Sequence, residues 1–454
     1  MVLDSYYYVM GATERLNINL WPIGYSYFIR LIGVLSHSDL LFTTIQYEIF
    51  QLSFLYLIFT IANLIELPKW AFVTLIIFSF NPIIPYTCNL IMADGLFYSV
   101  SIVWFTILVK IIIRPNQYLI ILNGIFIGVA LSLRYHALYY PILGAFAFLL
   151  SQYRFIYKAL GVVFQLAIVL LFVFFTQNQV KQITGQSQFS PFGGWKIANN
   201  TLYVYENIYR TDQRIIPNKY RELDSIVRRY YNSAHRKQTL FTNDPMPGGF
   251  YVFMSYSPLV IYKNSVFHSE SNVDDVKSFM RVGGLYGDYG KYLLKGSPVA
   301  YLKFFIIPNV IRYFSPPAEL YITLSTFFLR RDNISNYTKK WFHFKTLEVN
   351  VEAIQFRSNL FSFFPSIVFK LHVIFLLMLS VFIFIGGLKL INIEQRKFIA
   401  LGIITWIIDF GFNILASEVV LRYLLFTITI EVIFVLQFAS IIIKWTAKKI
   451  IHKK

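Results

Sequence analysis

Negative charge is scarce in this chain. Its 454 residues carry 23 Asp and Glu against 41 Lys and Arg, and charged residues of both signs amount to only 14%. A soluble domain carries about 25%, so a surface bathed in water on all sides is excluded. Cysteine is nearly absent: Cys88 stands alone, which excludes an intrachain disulfide, and its apolar neighbours make it a packed thiol. The seven histidines lack the close pairing of a metal site. There is no P-loop, no Gly-x-Gly-x-x-Gly after a strand, no His-Glu-x-x-His and no Gly-x-Ser-x-Gly. Nucleotide hydrolysis, and with it an energy-coupled pump, has no motif to rest on. The net charge of +18 invites a nucleic-acid reading, but no RNP, helix-turn-helix or zinc-finger spacing accompanies it.

Apolar sequence is what the chain has in excess, with 56% hydrophobic and 19% aromatic residues and a mean hydropathy of +0.56. Stretches of about 17–25 apolar residues can span the hydrocarbon core. They fall at 41–64, 70–90, 95–113, 118–133, 137–151, 159–176, 366–388, 397–415 and 421–443, the pair 118–133 and 137–151 being short. The expected fold is an all-α polytopic membrane protein. With the basic tail placed in the cytosol, counting backwards puts Lys69, Lys110–Arg114, Arg154–Lys158 and Lys389–Lys397 there too, as positive charge in short inner loops requires. The turns at 91–94, 134–136 and 416–420 then lie outside, and so does Met1. No cleavable signal precedes it, so either a short tail crosses unaided or a span precedes Met1, the reading favoured here.

Three regions follow: an N-terminal membrane region over 1–176, an ordered extracytoplasmic cap of mixed structure over 177–365, and C-terminal spans with a basic tail over 366–454. The cap is rich in turn formers such as Gly193-Gly194 and Gly283-Gly284 but too aromatic for a disordered linker. Leu20–Leu35, interrupted by Arg30 and by Pro22-Ile-Gly24, reads as a helix lying in the interface plane or else as a broken short span, and 299–314 reads as a second surface-lying helix. No internal repeat is visible.

Asp4, Asp94, Arg134 and Arg422 all fall on the outer side of this threading, on the side of the cap. Charge at membrane depth is costly and tends to mark function. Asp4, in Asp4-Ser-Tyr6-Tyr7-Tyr8, reads either as a general base for an acceptor hydroxyl or as an exposed terminal aspartate without a role. Asp94 reads as an N-cap or as a functional acid, and the two are compatible. Arg134 offers a planar fork for phosphate oxygens, or else snorkels to the headgroups; His136 packs or hydrogen-bonds beside it. Glu418 and Arg422-Tyr423 open the last span, where an i,i+4 interval allows either a salt bridge on one helix face or direct contact with substrate. Asp409 lies deeper, with a partner the sequence does not name.

Together these segments resemble the GT-C superfamily of membrane glycosyltransferases. They look closest to the branch that holds protein O-mannosyltransferases and the bacterial aminoarabinose transferase of lipid A. The resembling parts are Asp4 with Tyr6–Tyr8 and Ala12, then Trp21-Pro22-Ile-Gly24-Tyr25, Ala93-Asp94-Gly95-Leu-Phe97, Gly128-Val-Ala130-Leu-Ser-Leu-Arg134 and Arg422-Tyr423-Leu-Leu. They cover about the first 150 residues and the last span. The resemblance implies a GT-C-like bundle in the inner (plasma) membrane and an inverting transfer of sugar from a polyprenyl-phosphate donor to a protein, lipid or glycan acceptor. Asp4 would be the base, Asp94 a second acid, and Arg134 the phosphate ligand, helped by Arg422. Branches of the family differ on a divalent metal. Two departures stand out: the family's usual first span is missing, and Ser5 replaces the acid that often follows the first aspartate. The cap aligns with nothing in the family. A lipid-linked polysaccharide polymerase or ligase is the rival, with Arg228-Arg229 or Arg330-Arg331 as phosphate contacts; a transporter or flippase is the second, and a non-catalytic scaffold the third.

Overall fold

A computed structural model of the chain describes residues 3–65, 67–233, 246, 248–267, 271–318, 336–344, 356 and 359–451. Among these residues every regular element is helical. The membrane part comprises α1 (Leu3–Thr13), α2 (Gly24–Gly33), α3 (Asp39–Ile65), α4 (Lys69–Phe78), α5 (Ile83–Asn89), α6 (Ala93–Ile113), α7 (Gln117–Leu133), α8 (Tyr140–Leu150) and α9 (Phe155–Thr184). The cap holds α10 (Gly193–Ile208), α11 (Arg221–Asn232), α12 (Phe250–Phe253), α13 (Pro258–Val266), α14 (Asn272–Gly296), α15 (Pro298–Tyr301), α16 (Ile307–Phe314) and α17 (Asn336–Phe342). The chain closes with α18 (Phe364–Phe384), α19 (Ile393–Ala416) and α20 (Leu425–Ile451).

Among the described residues, seven helices are long and apolar enough to cross a membrane, which makes this a multi-pass membrane protein by length and composition. The two shorter apolar helices, Gln117–Leu133 and Tyr135–Leu150, are the pair that the sequence marked as short. The helices alternate in direction, and contacts between turns fix which ends coincide. Gln395 at the start of α19 donates to the Ile65 carbonyl at the end of α3, and Tyr153 donates to the Asn116 carbonyl. The basic turns thus gather at one end of the bundle, and the segments at 94, 134 and 422 at the other.

The second span is interrupted. Pro82 cannot donate a backbone hydrogen bond, so the helix stops at Phe78 and restarts at Ile83. Gln51 of α3 donates to the freed Ser79 carbonyl at 3.0 Å, supplying within the protein the partner that lipid cannot.

Three expectations need correction. The first C-terminal boundary of the membrane region moves outward, because α9 runs to Thr184, past the break placed at 176. The last span starts later, because Leu421–Tyr423 forms a 3-10 turn and the helix begins at Leu425. The cap, expected to be mixed, has only helices as regular elements among its described residues. Its centre is the α10–α14 pair, where a Cβ on Gly194 would meet the Gly283 carbonyl at 1.8 Å. Only glycine lets the two backbones approach this closely.

Residues 298–314 form one continuous helical run with a π-turn at Leu302–Ile306. Pro308 explains the irregularity, since it cannot bond to the preceding turn. One side of this run exposes Val299, Leu302, Ile307 and Ile311, while Asn309, Arg312 and Tyr313 are buried against the bundle. The short α2 likewise exposes Leu31 and flanking Val34 and Leu35. Both agree with helices lying along a membrane surface.

Candidate functional site

The site is a cavity of about 360 Å³ where five remote parts of the chain meet: α1 with the turn after it, the α7–α8 junction, the start of the cap, the stretch from Gly248 to Phe253, and the end of α19 with the segment before α20. Six of the seven residues singled out from sequence line it, namely Asp4, Arg134, His136, Glu418, Arg422 and Tyr423. The seventh, Asp94, lies behind them.

Asp94 is the hub of a charged quartet. Its side chain is only 4% exposed, and its Oδ2 accepts from Arg134 Nη2 and stands 3.5 Å from Arg422 Nη1. Arg422 Nη1 also meets Asp4 Oδ2 at 3.2 Å. The N-cap reading of Asp94 is overturned: α6 begins at Ala93, Met92 holds the N-cap position without a side-chain hydrogen bond, and the Asp94 carboxylate goes to the guanidiniums. The exposed-terminus reading of Asp4 fails as well, because its side chain is 13% exposed and ion-paired.

Arg134 caps the C-terminus of α7, where extended backbone (φ −150°, ψ 138°) turns the chain away from the helix. Its Nε is buried without a hydrogen-bond partner among the described residues. Tyr423 lies between the two guanidiniums, its ring centroid 5.4 Å from Arg134 Cζ and 4.9 Å from Arg422 Cζ, both at cation–π distance. His136 packs on Tyr423 and Phe412, with centroids 5.0 and 5.1 Å away, and its Nε2 is 3.1 Å from Asn413 Oδ1.

Glu418 does not pair with Arg422. Ser417 and Val420 are extended, so the i,i+4 geometry of a helix does not exist there. Its carboxylate instead accepts from Lys196 of α10, from Asn199 Nδ2 at 2.5 Å and from the Gly249 amide at 3.1 Å. Gly249 presents that amide from a left-handed conformation (φ 68°) that glycine adopts without strain. Burial pushes the Glu418 carboxyl up, but the Lys196 ammonium and the Gly249 amide more than offset this and hold it below the usual carboxylate range. The extended 417–420 segment is strapped down from the 298–314 helix. Asn309 donates to the Ser417 carbonyl at 2.9 Å and accepts from the Val419 amide at 3.2 Å, while Arg312 Nε donates to the Val419 carbonyl at 3.1 Å.

Sequence reasoning missed Lys196, Asn199 and Gly249, all in the cap. The signals present were the turn formers Gly193-Gly194 and Gly248-Gly249, which do not by themselves name a partner. Asp409 finds its partners in hydroxyls: Tyr139 at 2.8 Å, Tyr313 at 3.3 Å and Thr427 at 2.5 Å. Of the arginine pairs favouring the rival enzyme, Arg228 binds Asp224 at 2.7 Å and the Tyr209 carbonyl at 2.9 Å, and does not line the cavity. Arg330-Arg331 lies outside the described residues. No group of three or more His, Cys, Asp or Glu among the described residues is arranged to hold a metal ion. Compared with known protein-family models, with curated proteins and with solved structures, the chain gives no match.

Chemically, the cavity pairs a polar rim with an aromatic wall. The rim offers two guanidiniums and two carboxylates: Glu418 is taken up by Lys196, Asn199 and the Gly249 amide, and Asp4 pairs with Arg422. Guanidinium forks suit phosphate oxygens in geometry and charge.

Proposed function

We propose that the chain is a GT-C-type glycosyltransferase that moves a sugar from a polyprenyl-phosphate donor to an acceptor hydroxyl or amine on the extracytoplasmic face. One observation carries this reading: Asp4, Arg134 and Arg422, from segments hundreds of residues apart, share the rim of one cavity and are tied together through Asp94. Such an arrangement suits a substrate whose phosphate sits at the membrane surface and whose chain lies in lipid.

The transfer is a single displacement. The acceptor oxygen or nitrogen attacks the anomeric carbon, the bond from that carbon to the phosphate oxygen breaks, and its electron pair leaves with the polyprenyl phosphate. Arg134 and Arg422 hydrogen-bond the phosphate and stabilise the charge it gains. The unpartnered Arg134 Nε supplies a donor that the carboxylates leave unused. Asp4 takes the proton released by the acceptor. Asp94 touches neither substrate in this scheme. It fixes the two guanidiniums and is a positioning residue.

Purified protein incubated with a panel of polyprenyl-phosphate sugars and simple acceptors tests the reading. Release of free polyprenyl phosphate from at least one donor is expected. No release from any of them, under conditions where the protein stays folded, refutes it.

A further inference from the structure

Two buried, unpartnered hydrogen-bond donors belong to residues that line this cavity. One is Arg134 Nε; the other is the indole Nε1 of Trp21, which has no partner among the described residues. A buried tryptophan N–H normally finds an acceptor, and nothing in the scheme above uses this one.

Trp21 is held firmly. Asn19 donates to the Tyr7 carbonyl at 2.5 Å and accepts from the Leu20 amide at 2.8 Å, so the turn carrying Trp21 is tied to α1, one turn after Asp4. The indole then packs on Phe192 with centroids 4.4 Å apart, and Phe192 stacks in turn on Phe253 and Phe279, each at 6.1 Å. Trp21, Phe192 and Phe253 all line the cavity. The wall is thus an aromatic platform that carries one unsatisfied donor. It stands apart from the second aromatic group, Tyr135 with Phe189 and the span residue Phe172, which continues into the membrane bundle along α9.

We infer that Trp21 is the sugar-binding residue of the donor site: its ring covers one face of the saccharide and its Nε1 donates to a ring hydroxyl. This rests on the glycosyltransferase reading and specifies where within the cavity the sugar sits. The face of an indole is electron-rich and suits the polarised C–H bonds on one face of a pyranose, while a polyprenyl chain has no acceptor for the N–H. A donor pocket built around a hydrogen bond rejects ligands that lack the matching hydroxyl, because its own polar group is then left unpaired.

The test compares binding of a polyprenyl-phosphate hexose with binding of bare polyprenyl phosphate, in wild type, Trp21→Phe and Trp21→His. Wild type is expected to bind the hexose-bearing lipid more tightly. Trp21→Phe keeps a ring but loses the donor, and is expected to lose about tenfold in affinity for the hexose lipid with bare polyprenyl phosphate unchanged. Trp21→His carries a ring N–H and is expected to regain part of the preference. Equal affinity of Trp21→Phe and wild type for the hexose lipid overturns the inference. So does a parallel loss for both lipids at an unchanged melting temperature, which would assign Trp21 to the lipid. If wild type binds bare polyprenyl phosphate but shows no preference for the hexose, the sugar subsite is refuted while a lipid-phosphate site stands; if it binds neither lipid, the donor reading itself fails and this inference with it.

Discussion

Replacing Asp94 by asparagine removes one charge and almost no volume, and it reaches the centre of the proposed site without touching the cavity. In the wild type, one carboxylate oxygen serves Arg134 directly and faces Arg422 at 3.5 Å, with the Asp94 side chain 4% exposed. Opposite charges about 4 Å apart attract by roughly 4 kcal/mol at an effective dielectric of about 20. Much of this is offset by desolvation, but removing one partner of a buried pair still costs about 3–5 kcal/mol because the other charge is stranded. Two guanidiniums would then share Asp4 alone. Asparagine retains an acceptor oxygen, which places the expected loss near the lower end, about 3 kcal/mol. Reversible unfolding in mixed micelles of wild type, Asp94→Asn, Arg134→Gln and the double variant measures the pair directly. A coupling of about 2–3 kcal/mol is expected, within the range for residues in one network and above the 0.2–1 kcal/mol of exposed pairs. Since both phosphate ligands would shift, transfer should fall about 10²-fold, the effect of a displacement near 1 Å at a reacting centre. Additive effects within about 0.5 kcal/mol, or an unimpaired Asp94→Asn enzyme, would refute the quartet as the organiser of the site.

Arg134→Gln and Arg422→Gln should each weaken polyprenyl-phosphate binding by about 10–100-fold, the equivalent of one charge-assisted hydrogen bond of about 1.5–3 kcal/mol; titration of the bare lipid phosphate reads this, and a change under twofold for both contradicts it. The depressed pKa of Glu418 means that its ion pair stabilises the fold above the ordinary value of 4.5 and is lost as pH falls through the lower folded value. In Lys196→Met the cation is gone and burial dominates, so the sign inverts: the Glu418 contribution should be present at low pH and fade as pH rises. Melting curves against pH in the two proteins report this, and parallel profiles would exclude the pair. Gly249→Ala should cost about 1–2 kcal/mol through its left-handed backbone, read as a lowered unfolding midpoint.

The spans were legible because an apolar run long enough to cross lipid is a local property, and the parity of those runs placed the charged residues at one end. Pairing was less legible. That Arg134 would take Asp94, and Arg422 both Asp4 and Asp94, depends on the approach of α1, α6, α7 and the 421–423 turn, which no local pattern encodes. The Glu418–Arg422 expectation failed for a definite reason: an i,i+4 rule presupposes a helix, and Asn309 and Arg312 hold that segment extended. Asp94 was misread as a cap because the helix starts at Ala93, two residues earlier than the expected start at 95. The cap contributed Lys196, Asn199 and Gly249, whose roles arise only from the close passage of α10 beneath the rim.

The proton-accepting role of Asp4 is where the account is most exposed, because Asp4 is the cavity-lining carboxylate that pairs with Arg422. Single-turnover release of polyprenyl phosphate from a preformed donor complex, wild type against Asp4→Asn, measures it with binding removed from the comparison. A fall of about 10²–10⁴ in rate at matched donor occupancy is predicted. Release by Asp4→Asn within a few-fold of wild type would contradict the mechanism.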